Sequence, residues 1–126
     1  MPPEHSADYL LVFTRRRFAI FDDQGGKIGG ASPLEGPWAE AEEDYQTLLA
    51  ALRLLWRRLG PQVNHSVLVV RGDRALVLDH LTGQREPEDD AQRRLRDEAR
   101  QLLGDFKRWR CVLQSPDDTR AILGEP

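Results

Sequence analysis

Glu43-Asp44-Tyr45-Gln46-Thr47-Leu48-Leu49-Ala50-Ala51-Leu52, continuing through Arg53-Leu54-Leu55-Trp56-Arg57-Arg58-Leu59, carries the clearest periodicity in the chain. Tyr45, Leu48, Leu49, Leu52, Leu55, Trp56 and Leu59 recur at three- and four-residue spacing, which gathers them on one side of a helix. Acidic residues at the start and Arg57 and Arg58 at the end oppose the partial charges of the helix termini. The spacing predicts an amphipathic helix over Trp38–Leu59, stopped by Gly60-Pro61, because glycine suits the left-handed cap and proline cannot continue the ladder.

Upstream of this helix the period changes to that of strands. Tyr9–Thr14 holds a continuous apolar run, Leu10-Leu11-Val12-Phe13, as expected of a strand covered on both faces. Phe18–Phe21 reads as a second strand, Asp22-Asp23-Gln24-Gly25-Gly26 as a turn, and Lys27–Ser32 as a returning third strand. Met1–Asp8 reads as a flexible tail, and Ser32–Pro37 as a loop punctuated by Pro33, Gly36 and Pro37.

Downstream, Ser66–Arg71 is a second buried-type strand, ended by Gly72. A short helix is expected from Asp73 to about Leu81, ending at Thr82-Gly83. After the acidic connector Gln84–Asp90, Asp89 or Asp90 caps a helix whose inner face is Ala91, Leu95, Ala99, Leu102 and Leu103. Trp109, Cys111 and Leu113 then alternate with Arg108, Arg110 and Val112 in a last strand, and Pro116-Asp117-Asp118 opens a final helix to about Leu123. The order is β-β-β-α-β-α-α-β-α, without internal repeats. A strand reached through a long helix after a meander lies parallel to the first strand, so Tyr9–Thr14 and Ser66–Arg71 become neighbours. Sites in such sheets form beyond the carboxyl ends of the strands, which directs attention to Thr14 and Asp73.

Composition bounds the class. The chain has 126 residues, 40% hydrophobic and 31% charged, which suits one globular α/β domain over residues 9–126. The apolar runs Tyr9–Phe13 and Val67–Val70 fall far short of the roughly 20 residues a membrane span needs, and Met1–Asp8 lacks the basic and apolar parts of a signal peptide. A cytoplasmic location with no membrane partner is therefore expected. Cys111 is the single cysteine, which excludes an internal disulfide and a cysteine zinc site. A net charge of −3 argues against coating nucleic acid by bulk electrostatics but leaves room for local basic patches. His5, His65 and His80 have no spacing of a metal triad or a catalytic base. Trp38, Trp56 and Trp109 are core candidates, with Trp109 among Lys107, Arg108 and Arg110 also suited to stacking a base.

Three segments in register carry a family resemblance. Glu43-Asp44-Tyr45-Gln46-Thr47-Leu48 resembles the first helix of ribonuclease H-like domains, Arg71-Gly72-Asp73-Arg74-Ala75-Leu76-Val77 the Gly-Asp motif after their fourth strand, and Leu81-Thr82-Gly83 the Leu-x-Gly after the second helix. The resemblance runs from about Tyr9 to Leu123 and implies an α/β ribonuclease H-like fold, a five-stranded mixed sheet with helices on both faces. Active members of that family hold two divalent metals between four carboxylates, which stabilise the attacking and leaving oxygens of a phosphodiester. Carried over by position, Asp44 matches the helix carboxylate, shortened from glutamate, and Asp73 the carboxylate of the Gly-Asp motif. The first-strand position falls on Phe13 or Thr14 and the last-helix position on Ala121, none of which ionises near neutral pH. The family's Gly-rich loop is replaced by Thr14-Arg15-Arg16-Arg17, whose cations repel a metal pair and suit a phosphate backbone.

The resemblance thus implies a domain whose catalytic and metal-binding set has shrunk to Asp44 and Asp73, vestigial or residual, with Arg15, Arg16 and Arg17 as nucleic-acid contacts. Simpler roles stand beside these. Asp73 suits a helix cap, Asp44 suits charge compensation at a helix start, and Asp117 suits a cap more than a substitute ligand. The leading expectation is a catalytically impaired protein without cofactor that binds an RNA–DNA hybrid, structured RNA or a protein partner. The alternatives are an atypical ribonuclease using Mg²⁺ or Mn²⁺ on RNA–DNA hybrids, and an oligomerisation module pairing through the edge strand Lys27–Ser32, with monomer and homodimer both open.

Overall fold

The computed structural model describes residues 7–31 and 38–124. Strands β1 (Tyr9–Phe13), β2 (Phe18–Asp22), β3 (Lys27–Ala31), β4 (Val67–Gly72) and β5 (Arg108–Leu113) form one sheet in the order β3-β2-β1-β4-β5. β1–β2 and β2–β3 pair antiparallel, as a meander does, whereas β1–β4 and β4–β5 pair parallel. The apolar run of β1 has the cause expected of it. Leu11, Val12 and Phe13 are all buried, with Leu11 and Phe13 in the main core and Val12 joining Ala19 and Leu123 on the opposite face.

Helix α1 (Glu40–Leu59) crosses from β3 to β4 and buries Tyr45, Leu48, Leu49, Leu52 and Leu55 against the sheet. Each of the four leucines contributes about 2 kcal/mol by leaving water. Trp56 departs from the predicted stripe. It is 39% exposed, and its Nε1–H donates to Asp105 Oδ2 at 3.0 Å, because an indole N–H needs a polar partner that the leucine core does not offer. The chain also does not turn straight into β4 at Gly60-Pro61. A 3-10 turn, Gly60–His65, intervenes and buries Val63.

Helices α2 (Ala75–Thr82) and α3 (Asp90–Gly104) follow β4, and α4 (Pro116–Leu123) closes the chain on the face where Leu123 meets Val12 and Ala19. Gly83, at φ +82°, ends α2, and the Asp89 carboxylate accepts from Gln92 N at 2.7 Å to start α3. On β5, Trp109 and Cys111 pack toward the core as alternation predicts, but Leu113 is 59% exposed where the edge strand runs out. Two sequence expectations, the loop Ser32–Pro37 and most of the tail Met1–Asp8, lie outside the described residues. Asp8 itself donates its N–H to Val67 O at 2.9 Å and accepts from Val67 N at 2.8 Å.

Candidate functional site

The parallel pairing of β1 and β4 sets Phe13 opposite Gly72, so the residues that follow, Thr14 and Asp73, leave the sheet side by side. A Cβ on residue 72 would lie 2.7 Å from Phe13 O, so only glycine lets β4 approach β1 this closely. Thr14 Oγ1 donates to Asp73 Oδ2 at 3.2 Å. The first turns of α1 pass over the same strand ends and deliver Asp44, only 5% exposed, whose Oδ2 accepts from Arg74 Nε at 3.0 Å. The other carboxylate oxygens, Asp44 Oδ1 and Asp73 Oδ1, are buried and have no hydrogen-bond partner.

The capping alternative for Asp73 fails. The N-cap position of α2 is Arg74, and no side chain caps that helix, so Asp73 is not a cap. Asp44 is buried in the first turns of α1, and burial raises its pKa above the ordinary aspartate value against the lowering effect of Arg74 and Arg15, with Asp73 adding to the rise. Asp117 neither caps α4 nor enters the site. Ser115 takes the cap, and Asp117 points outward and pairs with Arg120.

The three arginines of the β1–β2 turn separate. Arg16 bonds Glu43, and Arg15 Nε lies 3.8 Å from the same carboxylate, with the charge of Arg15 also felt by Asp44. The hydrogen bond from Arg16 holds the Glu43 carboxyl below its ordinary pKa, with the charges of Arg15 and Arg74 assisting. Arg17 turns to the opposite face, where its guanidinium reaches Leu123 O at 3.4 Å. Thr47 fixes the turn from α1, donating to Arg15 O at 2.6 Å while also lying 2.9 Å from Glu43 O. Glu43, Thr47 and Arg74 were not assigned site roles from sequence. Glu43 and Arg74 adjoin residues that were, but pairing across elements is set by the angle at which α1 meets the strand ends.

The resulting cluster alternates charge: Asp44 and Asp73 at the floor, Arg74 and Arg15 close to them, Glu43 and Arg16 at the rim. Among the described residues no group of three histidine, cysteine, aspartate or glutamate side chains is placed to hold a metal ion. The donor set does not fit a pair of divalent cations, because the guanidinium of Arg74 already takes one oxygen of Asp44. What the cluster offers chemically is cationic donors held beside the ends of β1 and β4.

No protein-family model matches the sequence, and no curated protein matches it. Solved structures do. The RNase H1 of the halophilic archaeon Halobacterium salinarum NRC-1 is 22% identical and superposes with a TM-score of 0.73 over 88% of this chain and 89% of that one. The N-terminal RNase H domain of Rv2228c from Mycobacterium tuberculosis is 14% identical, with a TM-score of 0.75 over 94% and 92% of the two chains. LC11-RNase H1, isolated from compost and crystallised with an RNA/DNA hybrid, is 12% identical, with a TM-score of 0.74 over 90% and 89%. The chain therefore has the ribonuclease H-like fold, an α/β architecture whose mixed five-stranded sheet and helix order match the resemblance drawn from its sequence.

Proposed function

We propose that this chain binds RNA–DNA hybrid duplex at the ends of β1 and β4 without cutting it. The observation that carries the proposal is the Arg74–Asp44 ion pair, backed by Arg15, which sets cations among the carboxylates that the ribonuclease H-like resemblance would give to metal. Arg15 and Arg16 keep 44% and 31% of their side chains in solvent while Glu43 orients them, which suits contact with phosphate oxygens. LC11-RNase H1, of the same fold, holds an RNA/DNA hybrid. No helix among the described residues is long and apolar enough to cross a membrane. Cys111 is half-buried, and burial pushes its thiol up to about 12, so it stays an inert thiol, in keeping with a reducing cytoplasm.

A second reading is favoured by the two orphaned oxygens, Asp44 Oδ1 and Asp73 Oδ1, which are free to accept a single hard cation in an atypical nuclease. One experiment separates the readings. A labelled RNA–DNA hybrid is incubated with the protein and with Asp73→Asn, in Mg²⁺ and in Mn²⁺, while anisotropy reports binding and gel electrophoresis reports cleavage. Binding without cleavage, weakened by Arg15→Glu, supports the proposal. Cleavage that disappears in Asp73→Asn establishes the nuclease instead, and absence of both binding and cleavage points to a protein partner.

A further inference from the structure

Helix α2 carries a buried histidine that the strand-end cluster does not use. His80 is 1% exposed, its Nδ1 lies 2.6 Å from Tyr45 Oη, and the two rings stack with centroids 5.9 Å apart and planes 13° from parallel. Among the described residues this is the only hydrogen bond of the imidazole. Burial raises the Tyr45 phenol well above its usual range and, with the charges of Arg96 and Arg85, lowers His80, so both groups are neutral at physiological pH. A buried phenol with one partner donates its proton to that partner. Nδ1 is then the acceptor, and Nε2 carries the hydrogen and has no acceptor among the described residues.

His80 lines a hollow of about 380 Å³ together with Leu76, Arg85, Glu86, Glu88 and Gln92. The surrounding backbone is braced. Gln84 N and Arg85 N both donate to Asp79 O, at 2.8 and 3.2 Å, and Gln92 N is held by the Asp89 cap at 2.7 Å. Arg96 donates to Glu86 at 2.9 Å and to Asp97 at 3.0 Å, and Glu88 is the second acid of the lining. His80, Arg85 and Gln92, each with a side chain able to donate, thus line one space. Leu76 supplies an apolar wall, and Glu88 disfavours negative charge on an occupant, more strongly for a dianion than for a monoanion.

We infer that this hollow binds a small organic monocarboxylate, the carboxylate oxygens accepting from His80 Nε2 and Arg85 and the apolar part lying on Leu76. The inference is independent of the hybrid-binding proposal, since none of these residues belongs to the strand-end cluster. Benzoate titrated into the full chain, followed through the His80 imidazole by proton–nitrogen correlation spectroscopy, should give a saturable shift with a dissociation constant in the millimolar range. Arg85 is exposed, so Arg85→Ala keeps the fold, as circular dichroism would verify, and should weaken benzoate about tenfold. Glu88→Gln should tighten it, and benzamide should bind more weakly than benzoate. Absence of a saturable shift up to about 50 mM benzoate, or equal affinity in Arg85→Ala, overturns the assignment. Inorganic phosphate binding as tightly as benzoate at pH 7 also overturns it, because the acceptor would then be a dianion.

Discussion

Burial lifts the Asp44 carboxyl above the ordinary aspartate range, and the hydrogen bond and charge of Arg74, with Arg15 behind it, recover only part of that cost. A carboxyl that keeps its proton to higher pH when folded than when unfolded binds more protons in the native state. Its stability contribution is therefore most favourable below about pH 4, and is lost as pH rises through the raised folded value. Asp44→Asn removes the charge, keeps the shape and retains an acceptor for Arg74. It should raise the melting temperature at pH 7 by a few degrees, with the gain shrinking toward pH 4, as calorimetric melts at the two pH values would show. A lower melting temperature at pH 7 would mean that the Arg74 pair more than offsets burial. At this scale the sequence made the acids legible, because Asp44 sits one turn before Leu48 on the inward stripe and Asp73 follows a strand end. It did not make their neutralisation legible. Arg74 reaches Asp44 across 30 residues, and nothing in its local sequence distinguishes it from Arg71 or Arg85.

Helix α4 shows how an element too short to hold itself is kept in place. Its 8 residues lie below the length at which an isolated helix is stable, so its ends and its two buried side chains, Thr119 and Leu123, must fix it. Ser115 Oγ accepts from Asp118 N at 3.1 Å, Thr119 Oγ1 lies 2.9 Å from Ser115 O, Gln114 Nε2 donates to Thr119 Oγ1 at 3.0 Å, and Leu123 is 7% exposed. Ser115→Ala should cost about 1 kcal/mol, with amide exchange accelerated at Thr119–Leu123 well before global unfolding. Uniform protection across α4 in the variant would show that Leu123 packing suffices without the cap. The element pattern was largely readable, since period two and period 3.6 separate cleanly along this chain. The cap passed from Asp117 to Ser115 because proline takes the first helical position, which leaves the residue before it as the cap. Trp56 was misplaced for a different reason: periodicity places a side chain on a helix face but does not register that its N–H seeks the surface carboxylate of Asp105.

For the whole molecule, a net charge of −3 and a strand-end cluster in which arginines alternate with acids set how it can hold a polyanion. Arg15, Arg16 and Arg74 are gathered there against Glu43 and Asp44, whereas Arg17 faces α4, and Arg53, Arg93 and Arg120 pair elsewhere with Glu98, Asp90 and Asp117. Binding through that end alone releases few counterions. With about three phosphate contacts, the logarithm of the association constant for an RNA–DNA hybrid should fall with the logarithm of salt at a slope of about −2 to −3. Arg16→Ala should make the slope shallower by about one unit, while Arg93→Ala, far along the chain on α3, should leave it unchanged. Anisotropy titrations over a range of salt concentrations measure all three. A much steeper slope, or equal sensitivity to Arg93→Ala, would require the duplex to run across the helical face and would move the interface away from the β1 and β4 ends. A slope near zero would make the contact non-electrostatic, against the arginines at the strand ends, and would favour a protein partner over nucleic acid.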